Sequence, residues 1–350
     1  MSGRNRPVRV SVVAMPEAAV SPVTGIFETL AGVGPLVAEG EGDDGVDPFA
    51  PEVVGPSAGH VKAVTGLFAD VQRSVGDVDE TDVVIVPSMG LRPDGGWVPG
   101  RSPAVVDWIR RMHEGGATVC SACSGGLLAA ETGLYDGAEV TMHWSNEAWF
   151  REHHPDVRVR MDEVLVVSGE GGRLVTSGAA TAWHDLVLYL VARYVGPATA
   201  QSLARYHLLQ WHHDGQAAFQ VFEPSTGHGD SAVLTAQRWI EDNHPVARPV
   251  DEMAERAGLT TRTLTRRFRE ATGLSPISYV QRIRVEAAKR RLETTREPVE
   301  EISWAVGYED PAAFRRLFKR TTGLTPGEYR RRFRLPALPG VTQPEPERSG

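Results

Sequence analysis

A chain of 350 residues with 41% apolar and 7% aromatic content exceeds one ordinary core and excludes a disordered protein, so two or more domains are expected. Two cysteines, three positions apart, exclude a disulfide framework and point to the reducing cytoplasm, and no run nears the ~20 apolar residues of a membrane helix. The net charge of −8 hides a split: residues 231–334 hold 21 Lys+Arg against 14 Asp+Glu, net +7, and the rest hold 16 against 31, net −15, which is a cue for a nucleic-acid-binding segment joined to something else.

Residues 1–7 read as a short polar tail. VRVSVVAM (8–15) alternates like a strand and meets Glu17 early, which argues against a secretory leader. A helix is expected at about 22–33 and a loop over GEGDDGVDP (40–48). VVIVPSMG (83–90) is a continuous apolar run ending in small residues, which suits a strand buried on both faces of a parallel sheet. PAVVDWIRRMHEGGA (103–117) reads as an amphipathic helix closed by glycines. Then VCSACSGGLLAAE (119–131) turns from a strand through a tight bend into a helix, with Cys123 at the bend. Strand–turn–helix elbows of this kind expose nucleophiles in several hydrolase folds. Further strands are expected at 138–143, 163–168 and 173–178, and an apolar helix at about 179–195. Strands alternating with helices predict a doubly wound α/β domain over 8–208. Periodicity fails over 209–230, the expected connector. The Pro-rich end, 335–350, is expected to be a disordered tail.

From 231 to 334 every strong pattern is helical, and the segment contains a repeat. GLTTRTLTRRFREATGLSPISYVQRIR (258–284) matches GYEDPAAFRRLFKRTTGLTPGEYRRRFR (307–334) at an offset of 50 from Leu264 onward. Arg266 pairs with Arg316, Phe268 with Phe318, Pro276 with Pro326 and Tyr279 with Tyr329. Two copies of one helix–turn–helix unit are implied. In the first, Gly258 makes the turn, Thr260 caps the second helix, and Leu264 and Phe268 point inward. Thr261, Arg262, Thr265, Arg266 and Arg269 are left outside. In the second, Gly307 makes the turn, Phe314 and Phe318 anchor the helix, and Asp310, Ala312, Arg315, Arg316 and Lys319 are left outside. Between them, 277–293 reads as one helix of roughly 25 Å, a spacer of the order of the ~34 Å between successive major-groove turns. Arginines repeated at one register on such helices suit guanine and phosphate in double-stranded DNA.

With these residues in view, 231–334 resembles the DNA-binding region of AraC/XylS-family transcription regulators: paired helix–turn–helices, GL and GY turns, and the ends RRFREATGLSP and RRLFKRTTGLTP. The resemblance implies an all-α domain in which Arg262, Thr265, Arg266, Arg315 and Arg316 contact bases. Ser303 stands where the family more often has alanine. CSGGLLAAETGLYDGAEVTMHW (123–144) in turn is similar to a block of the class I glutamine amidotransferase-like (PfpI-like) domain, a flavodoxin-like α/β fold often fused ahead of such a region. In enzymes of that superfamily the elbow cysteine is activated by a histidine and an acid. Helix N–H groups favour the thiolate at such a position. Here Ser124 follows Cys123 where PfpI-type hydrolases often carry His, and Met89 interrupts the Gly-Gly expected after the strand.

Three readings of Cys123 stay open: the wall of a sensor pocket, a buried structural residue, or a nucleophile with His143 or His184 as base and Glu17 as acid. His143, Trp144, Trp183, His184 and Asp185 are either packing or ligand residues. Cys123, His143, Trp183 and His184 are the candidates for an effector pocket. Cys120 and Cys123 form a CxxC pair, but a metal site would need two further ligands, and no metal or cofactor is implied. The expectation is a cytoplasmic, sequence-specific DNA-binding transcription regulator, not an enzyme, with a small-molecule effector. The alternative is a cysteine-dependent amidase-like hydrolase tethered to DNA. A homodimer and contact with RNA polymerase are implied by the resemblance.

Overall fold

The computed structural model describes residues 6–38, 47–90 and 97–336, and the chain divides into two compact units, 1–216 and 217–350. The expected tails and the expected loop at 40–48 fall on residues 1–5, 337–350 and 40–46, outside the described residues, for most of their length.

The first unit opens with β1 (Val8–Val13), α1 (Val20–Ala31), α2 (Val33–Ala38), β2 (Phe49–Gly55), β3 (Gly59–Lys62), β4 (Phe68–Val71) and β5 (Arg73–Ser74). It continues with β6 (Val83–Val86), α3 (Pro103–Glu114), β7 (Thr118–Ala122), α4 (Gly125–Ala130), β8 (Glu139–Val140), α5 (Glu147–His153) and β9 (Arg158–Val159). It closes with β10 (Leu165–Ser168), β11 (Leu174–Ser177), α6 (Trp183–Tyr194) and α7 (Pro197–Tyr206). Seven strands make one sheet in the order β10-β11-β7-β6-β1-β2-β5, parallel except for the β10–β11 pair. Every residue of β6 and β7 is buried, as apolar strands at the centre of a parallel sheet covered on both faces must be.

From β1 the chain steps through α1 to β2; from β6 it steps through α3 to β7, in the opposite direction. Crossovers are right-handed, so α1 and α3 lie on opposite faces. This is the doubly wound, flavodoxin-like fold that the strand–helix alternation predicts. The direction reverses between β1 and β6, and the carboxyl ends of strands at such a reversal are where open α/β sheets commonly bind ligands.

The second unit is all helical: α8 (Ser231–Asn243), α9 (Pro249–Arg256), α10 (Thr261–Thr272), α11 (Pro276–Thr294), α12 (Val299–Ala305), α13 (Pro311–Thr322) and α14 (Pro326–Phe333). It has two cores. One joins Val233, Ile240, Met253, Leu264, Phe268 and Tyr279; the other joins Val285, Leu292, Ile302, Phe314, Phe318 and Tyr329. The repeat partners Phe268 and Phe318, and Tyr279 and Tyr329, thus occupy corresponding places in the two. Each core packs on its own half of α11, a rod of 19 residues spanning about 28 Å.

The expected connector 209–230 is shared between the units. Leu209 and Trp211 pack on the first core, while Ala218 and Phe222 pack on the cores of the second. Among the described residues no helix is long and apolar enough to cross a membrane.

Candidate DNA interface and cysteine elbow

Helix α10 starts where Thr260 accepts the Thr263 amide at 3.2 Å, and α13 where Asp310 accepts the Ala312 and Ala313 amides at 2.8 and 3.1 Å. Asp310, expected as an outward residue, is therefore a helix cap as well. With Leu264 and Phe268 turned into one core and Phe314 and Phe318 into the other, the opposite faces are left to solvent. On α10 that face carries Thr261, Arg262, Thr265, Arg266, Arg269 and Glu270, which line one shallow depression. On α13 it carries Arg315, Arg316 and Lys319, all exposed. The five residues expected to contact bases thus lie on exposed or half-exposed positions of the two equivalent helices.

The free protein already holds several of these arginines. Arg266 pairs with Glu270 through two oxygens at 3.0 and 3.1 Å, Arg315 with Glu300, and Arg316 loosely with Asp310 at 3.8 Å. Arg262 makes no ion pair among the described residues, and the Thr265 hydroxyl is spent on the Thr261 carbonyl at 2.8 Å. Toward a base Thr265 therefore offers an acceptor and a methyl group. Ser303 is fully buried, and its hydroxyl donates back to the Glu300 carbonyl at 2.7 Å, so serine sits at the alanine position without an orphan polar group.

In the first unit Cys123 stands at the end of β7 with φ 56°, a left-handed conformation unusual for a residue with a side chain. Its amide donates to the Ser177 carbonyl at the end of β11 at 2.9 Å. A Cβ on Gly125 would run into the carbonyl oxygens of Val86 and Pro87, so the elbow demands glycine there. Ser124 fastens the elbow to the strand beside it. Its hydroxyl accepts the Met89 amide at 2.9 Å and donates to the Met89 carbonyl. The position that carries His in related hydrolases is thus committed to holding the 87–90 loop.

The thiol is 7% exposed, and burial pushes its pKa up, outweighing the Ser88 hydroxyl and the Ser124 amide and hydroxyl that act the other way. This corrects the expectation that the helix end favours the thiolate: α4 has six residues, and desolvation wins. Cys120 is fully buried, and burial raises its thiol as well. The Glu17 carboxylate pairs with Arg101 at 3.1 Å. Among the described residues no cluster of three or more His, Cys, Asp and Glu could hold a metal.

Two candidate pocket segments flank the end of β11. Thr141 donates its amide to the Thr176 hydroxyl at 2.8 Å, which places the His143 turn beside β11, and Cys123 bonds Ser177. The Ser145 amide donates to His143 Nδ1 at 3.2 Å, which puts the ring proton on Nε2. Burial lowers the pKa of His143, and burial is also the main cause lowering His184. The Trp183 and His184 rings touch at a tilt of 42° with centroids 3.7 Å apart, and a Cβ on Gly25 would meet the Trp183 ring at 2.6 Å. Asp185, 2% exposed, accepts the His212 amide at 2.9 Å and pairs with its Nδ1 at 2.7 Å, so it is a structural clamp on the 209–216 segment.

Gln216, absent from the sequence-predicted set, gathers this whole region. Its side-chain nitrogen donates to the Thr141 hydroxyl, the Met142 carbonyl and the Glu163 carbonyl at 2.9, 3.1 and 3.0 Å, and its oxygen accepts the Ala179 amide at 3.1 Å. All four partners are remote in sequence, so no local pattern could have found it.

Residues 46–193 match the DJ-1/PfpI family, and residues 253–332 match a helix-turn-helix domain family. The chain is 28% identical over 294 residues to the HTH-type transcriptional regulator CdhR of Pseudomonas aeruginosa, covering 83% of this chain and 84% of that one. It is 28% identical over 291 residues to the HTH-type transcriptional regulator GlxA of Rhizobium meliloti, covering 79% and 83%. A crystal structure of an AraC family transcriptional regulator from Pseudomonas putida aligns with a TM-score of 0.47 and 17% identity, over 57% of this chain and 100% of that chain.

Proposed function

From a chain that belongs to the AraC-type helix-turn-helix regulators with an N-terminal DJ-1/PfpI domain, we infer that α10 and α13 read two half-sites of one operator under the control of a small ligand held by the first unit. The protein is a sequence-specific DNA-binding transcription regulator. The observation that carries the DNA reading is the duplicated face: two capped helices of 12 residues each, with arginines at the same register 50 positions apart, in a segment of net charge +7. Arg262, Thr265 and Arg266 contact bases from α10, and Arg315 and Arg316 from α13.

The first unit binds rather than turns over its ligand. Burial that raises the Cys123 thiol, and the commitment of Ser124 to the Met89 backbone, support this reading. On this reading Cys123, His143, Trp183 and His184 are the residues that meet the ligand near the end of β11. Gln216 supports this grouping. Its amide joins Thr141 and Met142, beside His143, to Ala179, four residues before Trp183. On the same reading the protein works in the cytoplasm as a homodimer, at promoters where RNA polymerase also binds.

The test is selection of duplexes from a random library by the full chain. The expected outcome is enrichment of two recurrent half-motifs at one fixed separation of about 10 bp, one helical turn. A pool enriched for nothing, or for a single motif, overturns the reading.

A further inference from the structure

The seam between the two helix–turn–helix units is built around one buried cation. Arg284, midway along α11, is 7% exposed, and among the described residues no carboxylate pairs with it. Its Nε donates to the His244 carbonyl at 2.7 Å and an Nη to the Val246 carbonyl at 2.8 Å. Both carbonyls belong to the turn between α8 and α9, which leads into the first helix–turn–helix. The other side of the guanidinium lies 5.2 Å from the centroid of the Tyr308 ring, in the second. Gly307, with φ +89°, closes the seam: a Cβ there would come to 2.7 Å of both Cα and O of Pro245 and to 2.9 Å of the Arg284 guanidinium. The turn of one unit therefore rests directly on the loop of the other, with Arg284 between them.

A buried guanidinium without a counter-charge is expensive unless fixed dipoles and a ring face replace its water. Here two carbonyls and an aromatic ring do so, in a geometry that suits a planar fork and does not suit lysine. The position has no part in the DNA face. It also does more than fill either core, because its contacts join the two. Without it, the angle between α10 and α13 would depend on the Gly307–Pro245 contact and the stiffness of α11, and helices of that length bend.

Resting on the DNA reading above, we propose that Arg284 is a positioning residue that fixes the angle between the two recognition helices and so sets the one operator spacing the protein accepts. A change of one base pair in spacing rotates the second half-site by about 34° on a repeat of about 10.5 bp. A seam in which Gly307 touches Pro245 leaves no room for such a swing.

The test repeats the random-duplex selection with full-length wild type, R284K, R284M and G307A. Wild type is expected to return a single spacing. The variants are expected to return the same two half-motifs with neighbouring spacings one base pair shorter and longer. They should also bind the wild-type paired duplex about tenfold more weakly while keeping affinity for a single half-site within about twofold, the signature of lost geometry between linked modules. G307A wedges the seam while keeping the guanidinium, and it decides the matter if the Arg284 variants fail to fold. An unchanged single spacing in the folded variants overturns the proposal. So does loss of the half-motifs themselves, which would assign Arg284 to folding. A wild-type pool without paired motifs removes the DNA reading, and this proposal with it.

Discussion

Replacing Arg266 or Arg316 by alanine separates base reading from folding, because the structure bounds both costs. Arg266 is held by Glu270 in an i,i+4 pair whose side chains are 65% and 60% exposed. Such a pair contributes about 0.3–0.5 kcal/mol to stability, so R266A should barely shift the unfolding midpoint. A bidentate arginine–guanine contact discriminates by about 1–3 kcal/mol. Binding must first release Arg266 from Glu270, so the net loss on truncation is about 0.5–2.5 kcal/mol, or about twofold to sixtyfold in Kd. Arg316 stands 3.8 Å from Asp310 with side chains 71% and 61% exposed, so it has less to break. R316A should fall nearer the full 1–3 kcal/mol, about five- to 150-fold. E270Q frees Arg266 and should tighten binding about twofold. Fluorescence anisotropy on the selected duplex and its single-base variants, across a salt series, measures all three. Each alanine variant should relax the preference at one base position. A variant that lowers the salt slope by about one while keeping every base preference would make that arginine a phosphate contact and refute the assignment. Wild-type binding by both variants would remove α10 and α13 from the interface.

Q216A should destabilise the first unit by roughly 1–3 kcal/mol for each group it leaves unpaired, the Ala179 amide and the Met142 carbonyl being the candidates, since the Glu163 carbonyl keeps the Thr141 hydroxyl; a urea midpoint within error of wild type would dissolve its bracing role. Cys123 should react with iodoacetamide at pH 7.5 far more slowly than a free cysteine peptide, because burial disfavours its thiolate; fast labelling that disappears in C123S would restore the nucleophile. Burial is the main cause lowering the folded pKa of His113, His143, His154 and His184. The unfolded chain takes up those protons near pH 6.5, so stability present above about pH 6.5 should be lost as pH falls through the depressed folded values. Urea midpoints at pH 7.5 and 5.5 check this, and a higher midpoint at pH 5.5 would contradict it.

Local signals made the second unit legible. Caps at Thr260 and turns at Gly258 and Gly307 bound helices whose inward residues recur every three or four positions, and duplication doubles the signal. The first unit was legible where β6 and β7 are continuous apolar runs. It was not legible over 49–74, where no strand is expected and β2, β3, β4 and β5 form. Pro51 lies inside β2 and spoils its strand pattern, and β5 has two residues. The elbow could be read as a shape but not as a chemistry. The bend follows from Cys123 and two glycines in sequence, whereas the thiol's burial and the tie from Ser124 to Met89 are tertiary. Arg284 illustrates the same limit. Within an expected helix it reads as one more basic residue, and only the packing of one turn on another removes it from solvent.

The expectation for 209–230 is a connector across which a ligand favours one arrangement of the domains, and hence one spacing of DNA contacts. His212 is clamped to buried Asp185, and Gln216 is bonded on both ends of its amide. Four residues later, Lys289 of α11 donates to the Gln220 carbonyl at 2.6 Å, and the Phe222 ring meets Tyr279 at 5.2 Å. Each end of the expected connector is thus bonded within its own unit. A ligand can shift an equilibrium only by its differential affinity for two states. On the proposed reading, a ligand that moves the Met142 or Glu163 carbonyl must break the Gln216 bonds or move Gln216 with them. The bonds of one glutamine then set a scale for the signal, a few hydrogen bonds at about 1 kcal/mol net each, which is the size of coupling that allosteric regulators commonly use.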